Sequence, residues 1–168
     1  MVDDDEGADL PLAALLRSAR AALGRTIRSA LEQAGYDDLP ANGPYVISAT
    51  AAEGVPLSII IEHLGLSKQA AGHLVDQLVV RGYLDRRVDP EDRRRLVVLP
   101  TERGVDAALV VRQAADLLDA ALIADVGDAD LRATRRTLAR LSAMARDEGR
   151  QPMPMPMPMP MTKADGDA

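Results

Sequence analysis

Apolar side chains recur three and four positions apart along most of the chain, the spacing of a helix with one buried face, and only one stretch has strand character. Leu12, Leu16, Ala19, Leu23, Ile27, Ala30 and Leu31 share one stripe and predict a first helix within residues 10–34, capped near Asp9, with Pro11 in its first turn and Gly35 at its end. A shorter helix is expected from Gly43-Pro44, carrying Tyr45, Val46, Ala49 and Thr50 before Gly54. Leu57, Ile60, Ile61 and Leu64 give another, closed by Gly65. Ser67 then caps the next helix, which runs to Arg81 and stops at Gly82. Strand chemistry follows in Gly82 to Val88 and Leu96 to Leu99, around the polar tip Asp89-Pro90-Glu91-Asp92-Arg93-Arg94. Thr101 caps a long helix bearing Val105, Leu109, Ala115, Leu118 and Leu122, with Glu102 and Asp106 suited to its positive end. Gly127-Asp128 breaks the chain. Leu131, Thr134, Leu138, Leu141 and Ala145 mark a last helix.

Two short helices, a tight turn and an arginine-loaded hairpin make a winged helix-turn-helix over residues 40–100. The fold class expected is mainly α with a small β-hairpin wing. Residues 10–34 and 101–148 flank it with apolar stripes that a module of this size cannot cover, so they need a partner surface; a self-contained bundle is the alternative. Residues 1–9 form an acidic tail and 149–168 a Pro-Met tail, both expected to be disordered. In Pro152 to Met161, repeated proline can neither continue a helix nor donate to a ladder, although Met-rich segments also suit sticky contacts or soft metals.

At 100° per residue, Gln69, Gly72, His73 and Asp76 share one face of the second helix of the pair, and Ala70, Leu74 and Leu78 the buried one. Gln69 can read adenine with paired donor and acceptor, and His73 can donate to guanine or phosphate. Lys68 and the Ser67 hydroxyl stand at the helix N-terminus, where phosphate is favoured. Gly72 permits close approach to a duplex, or is simply a tolerated surface glycine. Asp76 would repel phosphates unless it lies beyond them or pairs with an arginine. Arg86 and Arg87 are adjacent on a strand and point to opposite faces, so at most one reaches DNA; Arg86 is the candidate contact, with Arg93 at the wing tip another.

The core has to be aliphatic, because hydrophobic residues are 47% of the chain with no Phe, no Trp and three Tyr. The absence of cysteine removes disulfides, thiolate metal sites and thiol redox sensing. No apolar run reaches membrane-spanning length and the N-terminus is acidic, so a cytoplasmic protein without a membrane partner is expected. A net charge of −6 argues against a nucleic-acid partner until its distribution is considered. Asp3, Asp4, Asp5, Glu6 and Asp9 crowd the N-terminus, whereas Arg81, Arg86, Arg87, Arg93, Arg94, Arg95 and Arg103 surround the hairpin. The only histidines, His63 and His73, lie in different helices, without carboxylates or hydroxyls at triad or metal spacing. No enzyme activity, cofactor or metal is expected. A metal-responsive regulator using His63 and His73 stays open, as does a winged-helix module that binds protein.

The segment GLSKQAAGHLVDQLVVRGYLDRR, the wing sequence DPEDRRR and the closing TERG resemble the MarR family of winged-helix transcriptional regulators. Asp92-Arg93-Arg94 matches the family's Asp-x-Arg wing signature. Pro100 departs from the family, whose strand continues there with a residue that keeps its N–H, and this bears on the last ladder bond of the wing. The resemblance implies a homodimer with intertwined terminal helices, usually a repressor. It also implies Arg94 in the minor groove of double-stranded DNA, with Asp92 orienting the tip. A two-fold dimer would use an inverted-repeat operator. Relatives often accept aromatic carboxylates or phenols, and Tyr36, Tyr45, Arg17 and Arg20, near the helix junctions, are the candidates for a small-molecule effector pocket.

Overall fold

Glycines at positive φ punctuate the chain where the sequence places its breaks: Gly35 at +83°, Gly82 at +75° and Gly127 at +84°. The computed structural model describes residues 9–50, 55–56, 58–59, 61, 67–88 and 96–148. Helix α1 spans Leu12–Gln33 and starts from Pro11 without a side-chain cap, so Asp9 does not serve. Helix α2 is Gly43–Thr50 and strand β1 Val55–Pro56. Helix α3, Lys68–Val80, begins where the Ser67 hydroxyl accepts the Ala70 N–H at 3.2 Å. Strands β2 (Leu84–Val88) and β3 (Leu96–Pro100) precede α4 (Glu102–Val126) and α5 (Asp128–Glu148). Most of the helix expected from Leu57, with Gly54, Gly65 and the terminal tails, lies outside the described residues, as does the wing tip 89–95.

The chain divides into a unit ending at Ala121 and a second from Leu122. In the first, Ile27 and Leu31 of α1, Val46 and Ile47 of α2, Leu74, Val75 and Leu78 of α3, and Ala107, Ala108, Val111 and Ala114 of α4 join Tyr83, Leu84 and Val98 in one core. The second holds the end of α4 and α5, whose first turn pairs Arg132 with Asp128 one turn apart.

The sheet has three antiparallel strands in the order β1-β3-β2. β1 was not anticipated, because two residues pairing with a strand some forty positions on leave no local periodicity. Pro100 costs the wing no ladder bond to β2. It faces Leu84 in the register, while the next pair along exchanges the Thr101 N–H to the Tyr83 carbonyl at 3.0 Å. Alternation makes Leu84–Pro100 a non-hydrogen-bonded pair, so the missing N–H would have pointed away from β2.

Two helix faces differ from the expectation. In α3 the buried residues are Ala71, Leu74, Val75 and Leu78, whereas Ala70 is exposed, at the edge of that arc in the first turn. In α4 the face turned to the core is small: Gly104, Ala107, Ala108, Val111 and Ala114. Leu109 is 52% exposed. The reason is distance. A Cβ on Gly104 would stand 2.0 Å from the Tyr83 carbonyl oxygen, so the helix begins against backbone and its first turns leave no room for leucine.

Gly104→Ala should therefore destabilise the protein by about 3 kcal/mol or more, since backbone has to move. Gly72→Ala should do the opposite. Nothing lies within 4 Å of its Cβ position, so helix propensity alone predicts a gain of up to about 1 kcal/mol. Urea unfolding midpoints of the two variants check both statements.

Candidate nucleic-acid interface and effector cavity

The stripe Ala71, Leu74, Val75 and Leu78 seats α3 on the core and so turns Gln69, Gly72, His73, Asp76 and Val80 outward. Lys68, Gln69 and His73 are exposed, and Gly72 is half-buried. Gln77 Nε2 lies 3.0 Å from His73 Nε2. When the amide donates to that nitrogen, the ring carries its proton on Nδ1. Ser67 spends its acceptor on the helix cap but keeps a hydroxyl proton to offer. Val80, 86% exposed at the far end of this face, is an apolar residue that the sequence reading did not single out. Asp92, Arg93, Arg94 and His63 lie outside the described residues.

The arginines near the wing are not equivalent. Arg86 forms an ion pair with Asp76, the pairing allowed for above, and donates to the Gly72 carbonyl at 3.3 Å. Arg87 is the exposed member of the adjacent pair, 3.3 Å from Asp85. Arg103 belongs to the fold rather than to the basic surface the sequence suggested. Its Nη1 donates to the Arg81 carbonyl at 3.0 Å and its Nη2 to Asp38 at 2.9 Å and Tyr83 Oη at 3.0 Å. Its guanidinium carbon stands 4.3 Å from the centroid of the Tyr83 ring.

Tyr83 is the hub of that group. It is fully buried, donates its hydroxyl to Asp38, and has its ring centroid 6.2 Å from that of Tyr36. Burial and the hydrogen bond to Asp38 push its pKa from the usual 10 up to about 12, against the opposing pull of the Arg103 charge. Asp38 and Arg103 were missed because their partnership spans 65 positions and neither belongs to a local motif.

Tyr36 also lines a cavity of about 480 Å³ between α1 and the segment 36–45. Arg17, Arg20 and Tyr45 line it too, so the four suggested pocket residues converge on one space. Arg20 donates to Asn42 Oδ1 at 3.3 Å across it. Arg25 and Arg28 join them, unanticipated, although positions 17, 25 and 28 lie on one side of a helix at 100° per residue. Four guanidinium groups face Glu32 and Asp37, an excess of positive charge beside two phenol rings. Among the described residues no group of three or more His, Cys, Asp or Glu is placed to hold a metal, and no helix is long and apolar enough to cross a membrane.

Residues 38–95 match the family model described as MarR family. No curated protein sequence matches the chain. Among solved structures, a MarR-family transcriptional regulator from Rhodococcus sp. RHA1 is similar over 76% of this chain and 91% of its own, at 24% identity with a TM-score of 0.63. CouR from Rhodococcus jostii RHA1, bound to p-coumaroyl-CoA, is 25% identical, covering 76% of this chain and 89% of its own, with a TM-score of 0.62. A MarR-family regulator from Listeria monocytogenes, complexed with a 26mer DNA, is 13% identical over 83% of this chain and 91% of its own, with a TM-score of 0.70.

The buried phenol makes stability sensitive to alkali. An unfolded tyrosine ionises near pH 10, whereas Tyr83 in the fold holds its proton to about 12. Its contribution is thus complete below pH 10 and is lost as pH rises from there to 12. Urea titrations across that window should show a loss of about 2 to 3 kcal/mol from this group. Tyr83→Phe should flatten that part of the curve while lowering stability at neutral pH.

Proposed function

We propose that this chain, whose residues 38–95 match the MarR family of winged-helix transcriptional regulators, forms a homodimer that binds an inverted-repeat operator in double-stranded DNA and responds to a small aromatic or phenolic anion. The observation that carries the DNA-binding part is the outward face of α3, where a capped N-terminus, Lys68, Gln69 and His73 stand free of the core. These groups match the chemistry of phosphates and of base edges in a major groove. The Listeria regulator of the same fold, complexed with a 26mer DNA, supports DNA as the partner. Arg93 and Arg94 at the wing tip are the proposed backbone and minor-groove contacts, and Asp92 orients the tip. Repression is the proposed sign of regulation.

Dimerisation is supported by the apolar side chains that the first unit leaves uncovered. Leu12 is 52% exposed, Leu109 52% and Leu117 72%. Leu122, Ile123, Val126, Leu141 and Met144 add exposed apolar surface in the second. A second copy related by a two-fold axis would cover such surface symmetrically.

The cavity beside α1 is the proposed effector site, with Tyr36 and Tyr45 against an aromatic ring and Arg17 and Arg20 against its anionic group. Its volume and four guanidiniums leave room for a ligand larger than a single-ring acid. CouR, which binds p-coumaroyl-CoA, makes a thioester of this kind a reasonable first probe beside free p-coumarate.

Light scattering at micromolar concentration should give the mass of a dimer, and a footprint should cover two half-sites about one helical turn, ~10 bp, apart. On the best duplex selected from a random library, Gln69→Ala should cost about 1 to 3 kcal/mol and relax preference at one base pair per half-site, leaving the salt slope unchanged. Arg94→Ala should weaken specific and non-specific duplexes together and reduce the log–log salt slope by about one. Wild-type affinity and slope in both variants, or a monomer, would defeat the proposal.

A further inference from the structure

The register of the sheet decides where Arg86 points. Arg86 pairs with Val98, and cross-strand partners share a face. Val98 is completely buried, so Arg86 leaves β2 on the side packed against the helices, while Asp85 and Arg87 leave it on the other. Arg86 cannot stop in the core. Its guanidinium reaches α3, where Nη1 pairs with Asp76 Oδ1 and Nη2 donates to the Gly72 carbonyl, one helical turn earlier. Only 30% of the Arg86 side chain is exposed, against 70% for Arg87.

Asp76 makes the arrangement informative. A carboxylate on the outward face of a helix offered to phosphates opposes binding by simple Coulomb repulsion. Gly72 and Asp76 stand on that face with Gln69 and His73, and the fork of Arg86 engages Gly72 and Asp76 at once, so the outer side of α3 is tied to β2, the first strand of the wing. We propose that Arg86 and Asp76 are positioning residues. They fix the wing at one angle to the recognition helix, so that helix and wing tip meet the same duplex in register, and Arg86 is not itself a phosphate contact. The proposal rests on the reading of this protein as a DNA-binding regulator. It also assigns a use to a charge which that reading alone leaves unfavourable.

The two roles predict opposite signs. If Asp76 merely repels phosphates, Asp76→Ala tightens operator binding; if it positions the wing, the same change weakens it. Titrations of the full-length protein on the best duplex from a random library, over a range of salt, separate the two. Asp76→Ala and Arg86→Ala should each weaken operator binding about tenfold, the double variant no more than either single one, with the salt slope unchanged. Arg86→Lys keeps the charge but not the fork, and is available should Arg86→Ala fold poorly. It should also bind the operator more weakly than wild type, with thermal midpoint and non-specific affinity maintained. Tighter binding by Asp76→Ala, wild-type affinity in Arg86→Lys, or a slope reduced by about one in Arg86→Ala would each overturn the positioning role. Those results leave the DNA-binding reading standing, whereas a wild-type protein that binds no duplex removes both.

Discussion

The close approach of α4 to the root of the wing sets the geometry of the first unit. Thr101 donates its hydroxyl to the Gly82 carbonyl at 2.6 Å and its N–H to the Tyr83 carbonyl at 3.0 Å, then accepts the Gly104 N–H at 3.1 Å. One residue therefore closes the turn after α3, ends the sheet and starts the long helix. Gly104 is the residue without which these backbones could not meet. Because Tyr83 is pinned by its carbonyl at this junction and by its hydroxyl at Asp38, the loop beside the cavity is bonded to the base of β2.

Charge follows the same economy. The arginines around the hairpin look in sequence like one basic surface, yet they divide into groups with different uses. Arg103 bridges Asp38, Tyr83 and the Arg81 carbonyl, and Arg86 joins the sheet to α3. Each of these has a carboxylate partner, so neither adds its full charge to the field felt by an approaching polyanion. A formal count of cations near a wing overstates its electrostatic reach. The free positive charge of the described first unit gathers instead on α1, where four arginines share a cavity with two acids.

Much of the architecture was legible because its signals are local. Ser67, Gly82, Gly35, Thr101 and Gly127 act within a few residues of themselves, and the structure uses them at helix starts and stops. Tyr36, Tyr45, Arg17 and Arg20 could be grouped because helix junctions bring such residues near one another. What escaped was long-range or small. β1 exists only through β3, the Asp38–Arg103 pair is local in space alone, and the core face of α4 is written in Gly and Ala, which hydrophobic periodicity discounts. Leu109 drew attention because it is large, yet it stands about 140° around the helix from Gly104, on the side turned away from the core.

With no Phe or Trp in the chain, its near-ultraviolet spectrum comes from three tyrosines alone. Tyr36 and Tyr45 line the cavity, and Tyr83 stacks obliquely against Tyr36 at the root of the wing. Every aromatic chromophore thus sits on the cavity or on the hydrogen-bonded group beside it. The protein carries its own optical gauge of that region, without any label: near-ultraviolet circular dichroism and tyrosine emission report on the cavity wall and the wing root, and α5 contains no tyrosine to report on it.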